Sequence, residues 1–167
     1  MIASTNEPWA IDSGFLRPGR LGTAILLGPL DAEGRRAFTV NQLRAQFMRV
    51  CKHTGKNKDD DDDNSDRLED KLLAHVGLGC VVSDTEGFTG ADMQRLITLA
   101  NKTLLNKLEE EQEEDTIPDY SSFDQLLQLS VPCNEHFQVA LTQVKPSVTA
   151  QEMEEYHNWQ RTQRFNR

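Results

Sequence analysis

Three polar side chains near the start of the chain have the types and spacing for chemistry on a phosphate group. Asn6 follows a short apolar stretch, and Arg17 and Arg20 flank the dipeptide Pro18-Gly19. A guanidinium is always charged and presents a planar fork of donors to phosphate oxygens, while an amide both donates and accepts hydrogen bonds. Because Pro-Gly favours a turn, both arginines can extend from one bend. The set predicts stabilisation of negative charge that develops on a phosphoryl group.

A purely structural explanation of these residues is also open. Asn6 can simply end a strand, and surface arginines commonly pair with nearby carboxylates, an interaction that contributes little to stability. Two further segments of the chain favour the phosphate hypothesis.

Residues 85–96, with the sequence Thr-Glu-Gly-Phe-Thr-Gly-Ala-Asp-Met-Gln-Arg-Leu, form the second segment. Thr89 is a good N-cap, and Asp92 three residues later completes a pattern like a capping box at the positive end of a helix. Gly90 and Ala91 keep the start of that helix nearly free of side chain, so a flat base can lie against its backbone. The alternative is a well-capped core helix that binds nothing.

The third segment, residues 136–159, predicts two helices. Thr149 and Glu152 have the spacing of another capping box. We expect the apolar residues of the second helix to anchor it on the chain's own core or on a neighbouring subunit. The apolar positions that recur at helical spacing are Phe137, Leu141 and Val144 in the first helix and Met153, Tyr156 and Trp159 in the second.

Together the three segments resemble the AAA ATPase family. Residues 1–20 resemble the family's run from the strand-end asparagine called sensor 1 to the Leu-Arg-Pro-Gly-Arg turn that carries the arginine fingers. Residues 85–96 resemble the signature at the head of a helix in the family's lid. Residues 136–159 resemble the last two lid helices of the branch that includes katanin and spastin, and of the two-ring segregases. The resemblance covers nearly all of the chain but only the rear half of the family module.

The resemblance implies a role for each candidate residue. Asn6 would sense the γ-phosphate of ATP, and Arg17 and Arg20 would reach the ATP of the neighbouring subunit. Gly90 and Ala91 would close over the adenine of the subunit's own site. In the full protein these residues would serve a ring, expected to be a homo-hexamer, with ATP and Mg²⁺ as cofactors. ATP hydrolysis there would be coupled to remodelling of a protein or complex that the sequence does not name.

The parts of the family module that bind the triphosphate and Mg²⁺ are not found in this sequence. They are a Gly-rich loop ending in Gly-Lys-Ser/Thr and an acidic pair at the end of a buried strand. Residues 55–57, Gly-Lys-Asn, lack the hydroxyl after the lysine and the preceding strand. The family places both elements before the position of Met1, so we expect a C-terminal fragment whose Mg²⁺ is bound by parts absent from this chain. Two alternatives stay open: a non-catalytic interaction module that docks on intact AAA subunits, and a degenerate remnant without a partner.

The elements that would position these residues are mainly helical, with a small α/β remnant. Residues 2–4 and 24–27 are short, apolar and flanked by turn residues. They are predicted to be the last two strands of the parallel sheet of a P-loop NTPase. We assign residues 1–30 to the C-terminal part of the AAA large α/β subdomain and residues 31–165 to the AAA helical lid subdomain.

The lid is predicted to be built from amphipathic helices. Asp31 starts one of about twenty residues. Residues 68–76 form a second, followed by a break at Gly77 and Gly79. A third starts at Gly90 and has the broad apolar face of a helix at the centre of a small bundle.

Two acidic inserts, near residues 53–66 and 109–120, are expected to be disordered. Like charges repel each other and bury no apolar surface, so such a block does not pack. The aspartates at residues 59–63 resemble half of a calcium loop, but Asn64 stands where that loop requires glycine. A solvated acidic loop is therefore favoured, and no metal site is expected.

Composition and sequence patterns argue against several other classes of function. The formal net charge of −9 argues against general binding to nucleic acid, which needs clustered lysine and arginine. No apolar run reaches the roughly twenty residues that span a bilayer, and the start lacks the pattern of a secretory signal. The cysteines Cys51, Cys80 and Cys133 are odd in number and lack Cys-x-x-Cys spacing, so neither disulfides nor zinc are expected. These observations favour a cytoplasmic or nuclear protein.

Overall fold

The computed structural model of the chain describes residues 2–17, 19–21, 23–54, 64–111 and 122–165. A short 3-10 turn, Pro8–Ala10, precedes seven α-helices in these ranges. The chain divides into a larger unit, Leu30–Ser147, and a smaller one in which Met1–Pro29 joins Val148–Arg167. The helices are α1 (Ala32–His53), α2 (Asn64–Val76), α3 (Leu78–Asp84), α4 (Gly90–Glu111), α5 (Phe123–Ser130), α6 (Asn134–Leu141) and α7 (Ala150–Phe165).

The larger unit contains α1 to α6 around one apolar core. Its first helix begins where the sequence predicts, because the Asp31 carboxylate accepts a hydrogen bond from the backbone N–H of Gly34 at 2.7 Å. The apolar face predicted for α4 is buried, which places this helix at the centre of the core. The most deeply buried apolar side chains are Leu43, Phe47, Leu72, Val76, Val81, Met93, Leu96, Ala100, Leu126, Val131, Phe137 and Ala140.

One predicted helix break is wrong. Gly77 does end α2, and its φ of +62° is a left-handed conformation that favours glycine. Gly79, which was expected to extend that break, instead lies inside α3. This helix forms because it buries Leu78 and Val81 in the core, which outweighs the helix-weakening effect of one glycine.

The two predicted strands are not observed. Residues 2–4 and 24–27 are irregular, and among the described residues no segment is a β-strand. Ile2 is fully exposed, and Ile25 and Leu27 are 79% and 90% exposed. A strand requires a hydrogen-bonded neighbour along its edge, and the described part of the chain offers neither segment one. The fold class is therefore correct in being mainly helical and wrong in its two strands.

The smaller unit joins α7 to the N-terminal segment. The rings of Trp9 and Tyr156 lie 5.3 Å apart, and the Tyr156 hydroxyl donates a hydrogen bond to the backbone carbonyl of Asn6 at 2.6 Å. Close packing continues at Gly28, where an added Cβ would lie 3.3 Å from the Met153 methyl carbon. The apolar stripe of α7 thus anchors the helix on the N-terminal segment.

Most of the two acidic inserts, namely residues 55–63 and 112–120, lies outside the described residues. At their edges the structure is helical, since α2 begins at Asn64 and α4 continues to Glu111. None of the helices in the described ranges combines the length and apolar character needed to cross a bilayer.

Candidate functional site

A hydrogen-bonded loop in the smaller unit carries the two candidate arginines. The Asp12 side chain accepts a hydrogen bond from the Gly14 N–H at 2.6 Å, and the Asp12 carbonyl accepts one from the Phe15 N–H at 2.9 Å. The loop closes where the Leu21 N–H donates to the Phe15 carbonyl at 2.9 Å. Gly19 turns the chain with a φ of +87°, which a residue with a side chain rarely adopts.

The two arginine side chains of this loop differ in their surroundings. Arg20 donates from Nη1 to the Gly14 carbonyl at 2.8 Å, and its backbone N–H bonds the Arg17 carbonyl at 3.1 Å. Both arginines are exposed. The loop therefore orients the Arg20 guanidinium against its own backbone at one donor, and both side chains remain open to solvent.

Asn6 lies on the surface of the same unit. Its backbone is tied to α7 through the Tyr156 hydroxyl, and its residue surface is exposed. Among the described residues, no hydrogen bond joins Asn6 to Arg17 or Arg20. The three residues predicted to act on a phosphate thus share one unit without forming a single hydrogen-bonded cluster.

The predicted cap of α4 forms in the larger unit. Oδ2 of Asp92 accepts hydrogen bonds from the Thr89 backbone N–H at 2.9 Å and from the Thr89 hydroxyl at 2.8 Å. In return, the Asp92 N–H donates to the Thr89 hydroxyl at 3.3 Å. These reciprocal bonds satisfy backbone donors that the first turn of a helix leaves unpaired.

A second pair of bonds reaches Asp92 from outside the helix. The Ser147 backbone N–H and hydroxyl donate to the same Oδ2 atom at 3.1 Å and 2.9 Å. Asp92 is only 5% exposed, so these bonds replace water at a buried carboxylate. Ser147 was part of the third sequence segment, but no local spacing could reveal a partner so far along the chain.

Burial and hydrogen bonding act in opposite directions on the pKa of Asp92. Burial raises it, because the charged form loses hydration, while the bonds from Thr89 and Ser147 lower it by stabilising the carboxylate. The hydrogen bonds prevail, and the pKa lies below its ordinary value of 3.8. Asp92 is therefore a fixed negative charge at the N-terminus of α4.

Gly90 and Ala91 form the first turn that this network holds. Ala91 is exposed and Gly90 is partly buried. A Cβ added at Gly90 would meet only the Phe38 ring carbon Cε2, at an ordinary contact distance of 3.9 Å, and the backbone there is not left-handed. The described residues around Gly90 therefore leave space for a Cβ at this position.

A buried arginine that the sequence analysis missed supports the same region. Arg35 is 7% exposed, and it donates from Nη1 to the Leu30 carbonyl at 2.7 Å and from Nη2 to the Val82 carbonyl at 3.0 Å. The Leu30 N–H in turn bonds the Phe88 carbonyl at 3.0 Å. An arginine in the first turn of a helix gives no sequence signal for this role.

Neither a metal cluster nor a disulfide is seen in the part of the chain that the structure describes. No group of three or more metal-ligating side chains comes together there, and no disulfide joins Cys51, Cys80 and Cys133.

No protein-family model matches the chain, but individual proteins do. It is 27% identical over 161 residues to the cell division control protein 48 homolog B of Arabidopsis thaliana, a match over 96% of this chain and 20% of that protein. It is 31% identical over 121 residues to the ATP-dependent zinc metalloprotease FtsH 1 of Petrotoga mobilis, over 70% of this chain and 15% of that protein. A third relative is the human ATPase family gene 2 protein homolog B, 28% identical over 158 residues, which are 95% of this chain and 16% of that protein.

These relatives are AAA ATPases, and the resemblance inferred from the three sequence segments is confirmed. The chain is related to the AAA ATPase family and is similar to the C-terminal part of its ATPase module. It spans about a fifth or less of the length of the relatives it matches.

Proposed function

We propose that this chain is the C-terminal part of an AAA ATPase module that works in a ring, with a homo-hexamer as the expected assembly. ATP binding and hydrolysis there drive remodelling of a protein or complex. Residues 1–30 are assigned to the large subdomain and residues 31–165 to the lid. The proposal is supported by AAA relatives whose similarity extends over 96% and 95% of the chain. ATP and Mg²⁺ are bound mainly by parts that this sequence lacks, and the ring operates in the cytoplasm or the nucleus.

The arginine loop acts on the ATP of the neighbouring subunit. An exposed guanidinium on a hydrogen-bonded loop needs little reorganisation before it meets negative charge, which is the requirement for electrostatic catalysis. Arg17 suits this role because the loop presents it to solvent. Arg20 donates one bond to Gly14 and keeps its other donors for a phosphate. Asn6, on the same unit, contacts the γ-phosphate or the attacking water.

The start of α4 closes over the adenine of the subunit's own ATP. This step rests on the surroundings of Gly90. Its backbone is not left-handed, and its described neighbours leave space for a Cβ, so the fold itself does not require glycine there. A flat ring resting on the backbone would require it, because a Cβ would hold the ring away. Adjacent Ala91 is exposed and adds only a methyl group to that surface.

Replacing Gly90 by alanine separates this ligand role from folding. In the 167-residue chain, Gly90→Ala should raise the free energy of unfolding by a few tenths to about 1 kcal/mol, because alanine restricts the unfolded chain. The same change should weaken binding of ADP about tenfold, measured by NMR titration of backbone amides. Gly79→Ala is the matched control, since Gly79 is exposed within α3 and has no atom near an added Cβ. Equal ADP affinity in both variants would contradict the adenine role.

The finger role is tested in a ring that contains the complete module. Arg17→Ala or Arg20→Ala should lower ATP turnover about 10³-fold or more, because each removes positive charge from the transition state. Arg95→Ala, on the exposed side of α4, is the control and should change turnover little. The isolated chain should show helical circular dichroism and no turnover. A loss below tenfold for both finger variants would count against the role.

A second function is supported by the exposed apolar residues of the smaller unit. Ile2, Ile25 and Leu27 expose apolar surface to solvent, which suits a non-catalytic module that docks on intact AAA subunits. In that case the chain would sediment with intact subunits, and Arg17→Ala in the docked chain would leave their turnover unchanged.

A further inference from the structure

Both ends of the larger unit are hydrogen bonded to the same short segment, Phe88 to Asp92. The unit spans Leu30–Ser147. Its first residue, Leu30, donates its N–H to the Phe88 carbonyl at 3.0 Å. Its last, Ser147, donates two bonds to Asp92. The segment that carries Gly90 is therefore attached at both places where the chain enters or leaves this unit.

Asp92 is the centre of these contacts because one atom accepts four bonds. Oδ2 takes two from Thr89 within the turn and two from Ser147, and hydrogen bonds to a charged acceptor are stronger than those between neutral groups. If Ser147 moved away, the buried carboxylate would lose half of these donors. The conformation of the helix start and the position of Ser147 thus depend on each other.

We propose that Asp92 and Ser147 form a latch that positions the Gly90–Ala91 backbone and couples ligand binding there to the segment leading into α7. Both are positioning residues that act through the backbone of the turn. The ligand part of this inference rests on the proposed function, whereas the coupling between Ser147 and the turn does not. Since coupling between two sites is reciprocal, a ligand on Gly90 and Ala91 also orders Ser147.

The rest of the chain supplies a matched control for the latch. Thr149 and Glu152 form the same capping box at the start of α7, with bonds of 2.7 Å and 2.8 Å to the Glu152 carboxylate. Glu152 is exposed, and its carboxylate accepts its bonds from Thr149. A variant there removes a capping carboxylate without touching the latch.

Backbone amide exchange measured by NMR on the 167-residue chain tests the proposal. Asp92→Asn, which keeps the shape of the side chain, and Ser147→Ala should speed exchange of the backbone amides of Thr89 and position 92 about tenfold and weaken ADP binding. Ser147→Thr restores a hydroxyl and should restore both values. Glu152→Gln should leave them unchanged. In the wild-type chain, ADP should slow exchange of the Ser147 amide.

Several outcomes would overturn the latch. One is unchanged exchange of the backbone amides of Thr89 and position 92 in both Asp92→Asn and Ser147→Ala. The others are an equal increase in Glu152→Gln and failure of Ser147→Thr to keep the wild-type rates. If ADP left the Gly90 and Ala91 amides of the wild-type chain unshifted, the adenine role would fail. The exchange rates of the ligand-free variants would still decide the latch.

Discussion

The starts of α4 and α7 have the same local motif in different surroundings. Each places a threonine at the cap and a carboxylate three residues later, in Thr89 with Asp92 and Thr149 with Glu152. Asp92 is buried, and Ser147 adds two bonds to it from the far end of the larger unit. Glu152 is exposed on the smaller unit, and its pKa is lowered by the backbone and side-chain bonds from Thr149 alone.

The comparison shows that the contribution of a helix cap to stability depends on the surroundings of the cap. In α7 the motif only pairs the donors of one helical turn, and water can replace it at small cost. In α4 the same motif joins segments that lie 55 residues apart along the chain, from Asp92 to Ser147. Such a contact stabilises tertiary structure as well as a helix end.

The largest difference in stability between the two caps should appear when each carboxylate is removed. Asp92→Ala should lower the free energy of unfolding of the larger unit by about 2 kcal/mol, because it leaves the donors of Thr89 and Ser147 without their charged acceptor. Glu152→Ala should have a much smaller effect, since water reaches its site. Urea unfolding followed by circular dichroism measures the larger unit, which holds most of the helices.

Tryptophan fluorescence provides the matching signal for the other unit. Trp9 and Trp159, the two tryptophans of the chain, both belong to the smaller unit. Glu152→Ala should therefore shift the fluorescence transition more than the circular dichroism transition, with the reverse for Asp92→Ala. Equal losses for the two variants by circular dichroism would remove the distinction between the caps.

Acidification should give a smaller effect of the same kind. The pKa of Asp92 is lowered below 3.8 in the folded chain, so the unfolded chain binds the proton more readily. The stability that Asp92 contributes is complete above about pH 5 and is lost as the pH falls through the folded pKa. Asp92→Asn should flatten the acid side of the stability profile, measured by urea midpoints at successive pH values. Glu152→Gln should leave the profile of the larger unit close to wild type, and an equal flattening would contradict the comparison.

Local motifs were predicted well from the sequence. Asp31, Thr89 and Thr149 each cap the helix that follows, because a hydroxyl or carboxylate at that position pairs with donors only two or three residues away. The apolar face of α4 was predicted for a similar reason, since helical periodicity is a property of neighbouring residues. The candidate residues Gly90 and Ala91 were located on the correct helix turn by the same motif.

Predictions that depended on distant or missing neighbours failed or were not made. The strands at residues 2–4 and 24–27 have the right composition, but composition cannot provide the adjacent strand that a sheet needs. The short helix α3 forms around Val81 because that residue is buried in the core, despite Gly79. Ser147 and Arg35 gave no local signal for their long-range bonds.

The sequence by itself determined the relation to AAA ATPases, the mainly helical character of the described parts of residues 31–165 and the identity of the candidate polar residues. These follow from motifs and periodicities within a few residues of one another. Only the tertiary structure decided that α7 packs on the N-terminal segment through Trp9 and Tyr156. It also decided that Asp92 is buried and accepts hydrogen bonds from Ser147. Burial and long-range hydrogen bonds depend on which distant segments the folded core brings into contact, and no local spacing encodes that choice.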